Sequence, residues 1–286
     1  MESDNTVKIL TGIRDTDLII LSQLDDKALF NFCISSKSKY LKKLCSNETF
    51  WRKRFINKFG SESLNLKFTD STWKKFYLKL IYYLDKGGSV ENAFDEASLS
   101  GDLEAAQFFL EDPFSKNVKD KLSRKIRLNR GMRNSAKGGH KNLINYFVSE
   151  GADYWNGGLV GAAEAGRKDL IDFFISKGAN FWDGGLHGAA KAGRKDLVHF
   201  FIKKGADDWI RAIRGAALGR HKDLIDFFLE KKDNITDLAI CLILEDTIKG
   251  GHEEILEYIK EKFNINDYFV KNIKAKIDAG DTSPCF

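Results

Sequence analysis

The chain has 286 residues, 43% hydrophobic and 30% charged, with a formal net charge of +5. That balance suits one or two soluble domains with their own cores, and it is too mildly basic for charge alone to imply a nucleic-acid partner. No apolar run approaches the length of a membrane span; the longest near-candidates are short pieces such as "LIYYL" (80–84).

The opening "MESDNTVKIL" is polar, which argues against a secretory leader. Cys33, Cys45, Cys241 and Cys285 lie far apart without CxxC spacing. They are expected as free thiols in a reducing compartment, which places the protein inside a cell, in the cytoplasm. Residues 15–60 read as three or four short helices. Asp26 is expected to cap one that runs through Cys33, and Asn47 one that carries Phe50, Trp51 and Phe55. The polar link "SESLNLKFTD" (61–70) follows. "STWKKFYLKLIYYLD" (71–85) then predicts an amphipathic helix, capped by Ser71 and stopped by Gly87 and Gly88.

Several residues of this stretch resemble an F-box. They are Leu18, Ile20, Leu21 and Leu24, then "DDKAL" (25–29), Phe32-Cys33, "SSKSKYLKKLC" (35–45) and "ETFWRKRF" (48–55). The downstream "TWKKFYLKL" (72–80) is similar to the segment that often follows an F-box in viral members. The leucine-proline that usually opens the motif is absent, and "GIRDT" (12–16) stands there instead. The resemblance implies docking on a Skp-type adaptor, which bridges to a cullin scaffold. Carried over residue by residue, the adaptor contacts are Leu18, Ile20, Leu21, Leu24, Leu29 and Phe32. An apolar helical stripe in a partner's groove is the physics required; the alternative is that these side chains only hold the small helical fold together.

From about residue 90 the chain repeats itself. "GAAEAGRKDLIDFFISKGANFW" (161–182) and "GAAKAGRKDLVHFFIKKGADDW" (188–209) align without a gap at a spacing of 27 residues. "SAKGGHKNLINYFVSEGADYW" (135–155) and "AALGRHKDLIDFFLEKK" (216–232) are further copies, with looser ones at 97–112 and 247–262. A period of this size signals stacked helix pairs. Small residues in the first helix let neighbours approach. A glycine ends that helix, Asp169, Asp196 and Asp223 sit in the first turn of the second, and "KGA" closes the unit. No unit buries its apolar faces alone, so stability comes from neighbours. Arg220 stands where the turn glycine is expected, and that turn is expected to be distorted. The strongly basic 115–133 segment reads as an insertion or as an overlong repeat helix.

"AAEAGRKDLIDFFISKGAN" (162–180) and "GGHKNLINYFVSEGAD" (138–153) resemble the helix–turn–helix of ankyrin repeats. The period is shorter than that family's, and the missing residues fall where ankyrin repeats carry a β-hairpin finger, so short turns are expected there. Short copies of this kind resemble those encoded by large DNA viruses. The implied fold class is all-α: an F-box-like domain (10–60), a connecting segment with a helix (61–89), an ankyrin-like solenoid (90–263) and a C-terminal cap or tail (264–286).

Two ladders recur along the repeats. Tyr154-Trp155, Phe181-Trp182 and Asp208-Trp209 follow each "GA" at 27 residues. Either the indoles stack to fill the space left by the absent fingers, or the residues form a recognition edge. Arg167-Lys168, Arg194-Lys195 and His221-Lys222 form a basic ladder on the turns. It is either a solvated surface balanced by the following aspartates or a ridge facing an acidic partner. Catalysis finds little support. His140, His221 and His252 occupy repeat turns, where an imidazole hydrogen-bonds backbone, and no histidine has metal-ligand spacing. "GGLVGAAEAG" (157–166) lacks the Lys-Ser/Thr of a phosphate loop.

No cofactor, metal or catalytic residue is therefore expected, and neither membrane nor nucleic acid as partner. Expected partners are the Skp-type adaptor with its cullin complex and an unidentified target protein, with a monomer outside that complex. The implied function is that of a non-enzymatic substrate-recognition subunit of a ubiquitin ligase, acting in the host cytoplasm if the chain is viral. The alternative is an ankyrin scaffold or decoy that recruits no ligase.

Overall fold

The structure, a computed structural model, describes residue 10 and residues 14–35, 38–67, 71–111, 121–232 and 234–281. Their regular structure is helical throughout. In chain order the α-helices are α1 (Arg14–Ser22), α2 (Asp26–Ser35), α3 (Lys39–Leu44), α4 (Glu48–Phe59), α5 (Trp73–Gly87), α6 (Val90–Ser100), α7 (Leu103–Leu110), α8 (Lys121–Gly138), α9 (Lys141–Ser149), α10 (Trp155–Glu164), α11 (Lys168–Ser176), α12 (Trp182–Lys191), α13 (Lys195–Lys203), α14 (Trp209–Gly219), α15 (Lys222–Leu229), α16 (Asp237–Lys249), α17 (Glu253–Phe263) and α18 (Asp267–Asp278). A 3-10 turn, Glu62–Leu66, follows α4. The chain divides into two units, the first ending within α8 near residue 127 and the second running from there to the C-terminus. Residues 99–101 group with the second unit.

The first unit is built around large aromatic side chains. Trp51, Phe55, Phe76 and Phe108 are fully buried. The Phe55 ring lies 5.6 Å from that of Phe76 and 5.8 Å from that of Phe108. The buried indole of Trp51 donates to the Cys45 carbonyl at 2.9 Å, which satisfies the polar end of an otherwise apolar group. Asn47 caps α4 as its position predicts, accepting from the Phe50 N–H at 3.1 Å. Two caps fall one residue from the expected place. Asp25, not Asp26, accepts from the Ala28 N–H. Thr72, not Ser71, caps α5, because Ser71 turns to Glu104 and donates to it at 2.9 Å.

The cysteine expectation is overturned. Cys33 and Cys45 form a disulfide with their Cα atoms 5.6 Å apart, and no cysteine among the described residues is free. The spacing misled because α2 and α3 fold back on each other, bringing together residues twelve apart in sequence. Cys285, with residues 282–286, lies outside the described residues.

In the second unit, α10 packs on α12, α12 on α14 and α14 on α16, while each also packs on the helix that follows it. This serial stacking of helix pairs is what the 27-residue period demands. Leu170, Leu197 and Leu224 are buried at one position of the second helix, and Phe174, Phe201 and Phe228 at another. Gly161, Gly188 and Gly215 recur on the first helix because backbone passes against them. A Cβ at Gly161 would stand 2.4 Å from the Arg133 carbonyl oxygen, and one at Gly215 2.4 Å from that of His187. The glycines of "GGLVGAAEAG" up to Gly161 thus lie inside α10 as packing residues.

The turn at Arg220 keeps the geometry of its glycine counterparts, contrary to the expected distortion. Arg220 has φ 64°, beside 66° at Gly166 and 68° at Gly193. The packed neighbours on either side hold the turn, and the arginine carries the left-handed strain. Of the basic segment 115–133, residues 115–120 lie outside the described residues and the rest belongs to α8. At the far end α18 buries Val270 and Ile273 and packs on α16.

Candidate interaction surfaces

In the first unit the apolar residues of α1 and α2 divide by exposure. Leu21, Leu29 and Phe32 are buried at 0–2% exposure, so these three expected adaptor contacts belong to the core of the folded unit. The amphipathic pattern that marked them is the same one that a core face produces. Leu18, Ile20 and Leu24 are half-buried. The apolar side chains that do face solvent are ones the sequence reading passed over: Ile19 (65% exposed), Phe30 and Ile34. Phe30 and Ile34 are four residues apart on α2 and share a face of it. That spacing was the available signal.

Ile19 and Leu18 also line a cleft of about 840 Å³, together with Phe50, Arg54, Lys58 and Tyr77. Asp26 is among its lining residues. Its carboxylate takes Arg54 at 2.9 Å, Lys58 at 2.5 Å and the Tyr77 hydroxyl at 2.5 Å. Burial alone would raise the pKa of Asp26. The hydrogen bonds from Lys58, Tyr77 and Arg54 outweigh burial and hold it below the usual carboxylate range. Burial and the same carboxylate push the Tyr77 phenol up. The cluster ties α2, α4 and α5 together, and its charges answer one another.

In the second unit, Tyr154 and Phe181 are exposed, while Trp155, Trp182, Asp208 and Trp209 are half-buried. No ring contact joins the three indoles. Trp209 stacks on Phe228 with centroids 6.3 Å apart, and Lys204 sits over Trp182 at 5.7 Å. Arg211 lies over Phe181 at 5.4 Å. The short turns that follow each "GA" are held by side chains. Asn156 accepts from the N–H groups of Asn180 and Phe181, Asp183 from those of Asp207 and Asp208, and Asn129 from those of Asp153 and Tyr154. This ladder has the 27-residue period and stands next to the aromatic one. Asn156 and Asp183 directly follow Trp155 and Trp182, and a polar residue at that place was the available signal.

The basic ladder on the turns is neutralised locally. Arg167 pairs with Asp169 at 2.8 Å, Arg194 with Asp196 at 2.7 Å, Lys195 with Asp223 at 2.6 Å and Lys222 with Glu254 at 2.8 Å, while Lys168 pairs with Asp172. Arg194 also donates to the Gly166 carbonyl of the preceding unit at 2.6 Å. Of the turn histidines, His140 meets the Leu99 carbonyl at 3.0 Å, whereas His252 takes the Arg220 Nε–H.

A second set of charges lies on the first helices. Glu164 of α10 is 7% exposed and faces three cations: Lys137 at 3.3 Å, Lys191 at 3.4 Å and Arg133 at 3.7 Å. Burial would raise its pKa, but Lys191, Lys137 and Arg133 more than compensate and hold it below the usual carboxylate range. Burial lowers the pKa of His187. Among the described residues no three His, Cys, Asp or Glu side chains gather as a metal site would require, and no helix is long and apolar enough to cross a membrane. The chain matches no protein-family model and no curated protein sequence.

Proposed function

We propose that the protein is a substrate-recognition subunit of a Skp–cullin-type ubiquitin ligase. Its F-box-like N-terminal unit docks the adaptor, and its ankyrin-like repeats hold a target protein. The observation that carries this proposal is the exposure of Ile19, Phe30 and Ile34 on a small unit that buries its other large apolar side chains on α1 and α2 wholly or in part. Fully burying such a side chain is worth about 1.5–3 kcal/mol, so three of them suffice to anchor a helical partner. The protein would contribute proximity rather than bond-making, raising the effective concentration of the target's lysines at the loaded enzyme.

The proposed setting is the cytoplasm, the host's if the chain is viral. The test is co-purification of the full chain with a Skp-type adaptor and cullin, beside the variants Ile19→Asp and Phe30→Asp/Ile34→Asp. Retention by the natural chain and loss by the variants supports the proposal. Failure of the natural chain to retain the adaptor leaves the alternative, a scaffold or decoy that binds a protein partner without recruiting a ligase.

A further inference from the structure

Along α8, α12 and α14 the side chains of Arg133, Lys137, Lys191, Arg211 and Arg214 remain 34–52% exposed. They occupy three rows with the repeat's own spacing, on the first helices before and after α10, which carries Glu164. Three carboxylates answer these five cations. Glu164 serves Arg133, Lys137 and Lys191 together, Asp208 pairs with Arg211 at 3.2 Å, and Asp246 pairs with Arg214 at 2.6 Å. The turn ladder is balanced pair by pair; this row is not. The surplus lies around Glu164, where one buried carboxylate holds three solvent-facing cations in fixed positions. Between the charged positions lie Val160 and the rings of Tyr154 and Phe181, which cover glycines 157 and 184.

We infer that this row binds an acidic, extended segment of a partner protein, with its carboxylates seated on the Arg133–Lys137–Lys191 cluster and on Arg211 and Arg214. The inference rests on the proposal that the repeats are the target-holding module, and it names the chemistry of what they hold. Neighbouring helix axes lie about 9 Å apart, so crossing from α8 to α14 covers roughly 27 Å. An extended chain covers that distance in about eight residues. Spaced carboxylates can reach the cations and pass over Glu164, Asp208 and Asp246. A nucleic-acid strand carries a charge at every nucleotide and would set phosphates against those three acids.

The test uses the full chain and a fluorescent peptide of about eight residues alternating glutamate and serine, read by anisotropy as salt is raised. A lysine–serine peptide and a single-stranded oligonucleotide of similar length serve as comparisons. The glutamate peptide is expected to bind, to weaken with salt, and to weaken about tenfold more in Lys137→Glu/Lys191→Glu. Lys168→Glu/Lys195→Glu on the turns is expected to leave its affinity within about twofold. Thermal melts identify a reversal that unfolds the unit. Glu164→Gln then decides the matter, because removing the internal carboxylate should tighten the peptide severalfold. No binding at low salt, equal loss in both double variants, or tighter binding of the oligonucleotide overturns the inference. Adaptor retention is read separately, so peptide failure with the adaptor retained removes the partner chemistry and leaves the ligase proposal standing.

Discussion

The two units hold themselves together by different means. The first relies on contacts between residues distant in sequence. Trp51 packs with its ring 5.7 Å from that of Tyr77, Asp26 binds Arg54, Lys58 and Tyr77, and Cys33 is linked to Cys45. Each contact occurs once. The second unit repeats a few contacts many times: a glycine under a backbone carbonyl, a phenylalanine under the first helix, an Asn or Asp bridging to the next turn. A unique core concentrates its stability in a few residues, whereas a stack distributes it over neighbours that depend on each other.

That contrast is open to test by substitution. Trp51→Ala should have the largest effect, about 4 kcal/mol, because it empties a fully buried site and orphans the Cys45 carbonyl. Hydrogen exchange should show protection lost across 14–111 and kept across 155–263. Gly188→Val should cost about 3 kcal/mol, since a Cβ there already meets Ala163 Cβ and the Glu164 nitrogen at 2.9 Å. Its exchange pattern should be the converse, with α10, α12 and α14 losing protection together. Loss confined to α12 would mean that the repeats do not depend on their neighbours.

The Cys33–Cys45 link sharpens the comparison further. Cys33→Ser/Cys45→Ser, or added reductant, should lower the stability of the first unit by about 2–3 kcal/mol, as expected for a short closed loop. Urea unfolding followed by tryptophan fluorescence, with and without reductant, reads the effect. An unchanged midpoint would show that aromatic packing alone holds α2 and α3 in place.

The sequence exposed the second unit more fully than the first, and the reason is physical. Repetition converts a tertiary contact into a visible period: alanine pairs, glycines and Phe174, Phe201 and Phe228 all recur because each meets the same neighbour in the next copy. Even there, a ladder of single residues, Asn129, Asn156 and Asp183, went unread beside the more conspicuous tryptophans. In the first unit the helices were legible from caps and apolar spacing. Which apolar residues face outward was not, because Leu21 and Ile19 differ only in how α1 is rotated against α3. The partners of Asp26 and Cys33 were equally invisible, since nothing local marks a contact made by residues that fold together from a distance.

The smallest expected effect concerns the one repeat turn that lacks its glycine. Arg220 sits at φ 64°, a conformation that costs an ordinary L-residue about 1–2 kcal/mol. Arg220→Gly removes that strain but adds about 0.5–1 kcal/mol of freedom to the unfolded chain. It also removes the exposed hydrogen bond from Arg220 Nε to His252, which is 3.0 Å long and open to competition from water. The balance is a gain of about 0.5 kcal/mol, seen as a slightly higher melting temperature. Gly193→Arg makes the reverse change one unit earlier and should destabilise by more, because His221 packs within 2.4 Å of a Cβ there. If Arg220→Gly instead destabilises, the Arg220–His252 contact is worth more than the strain. The link to the following helix pair would then be a specific bond as well as repeated packing.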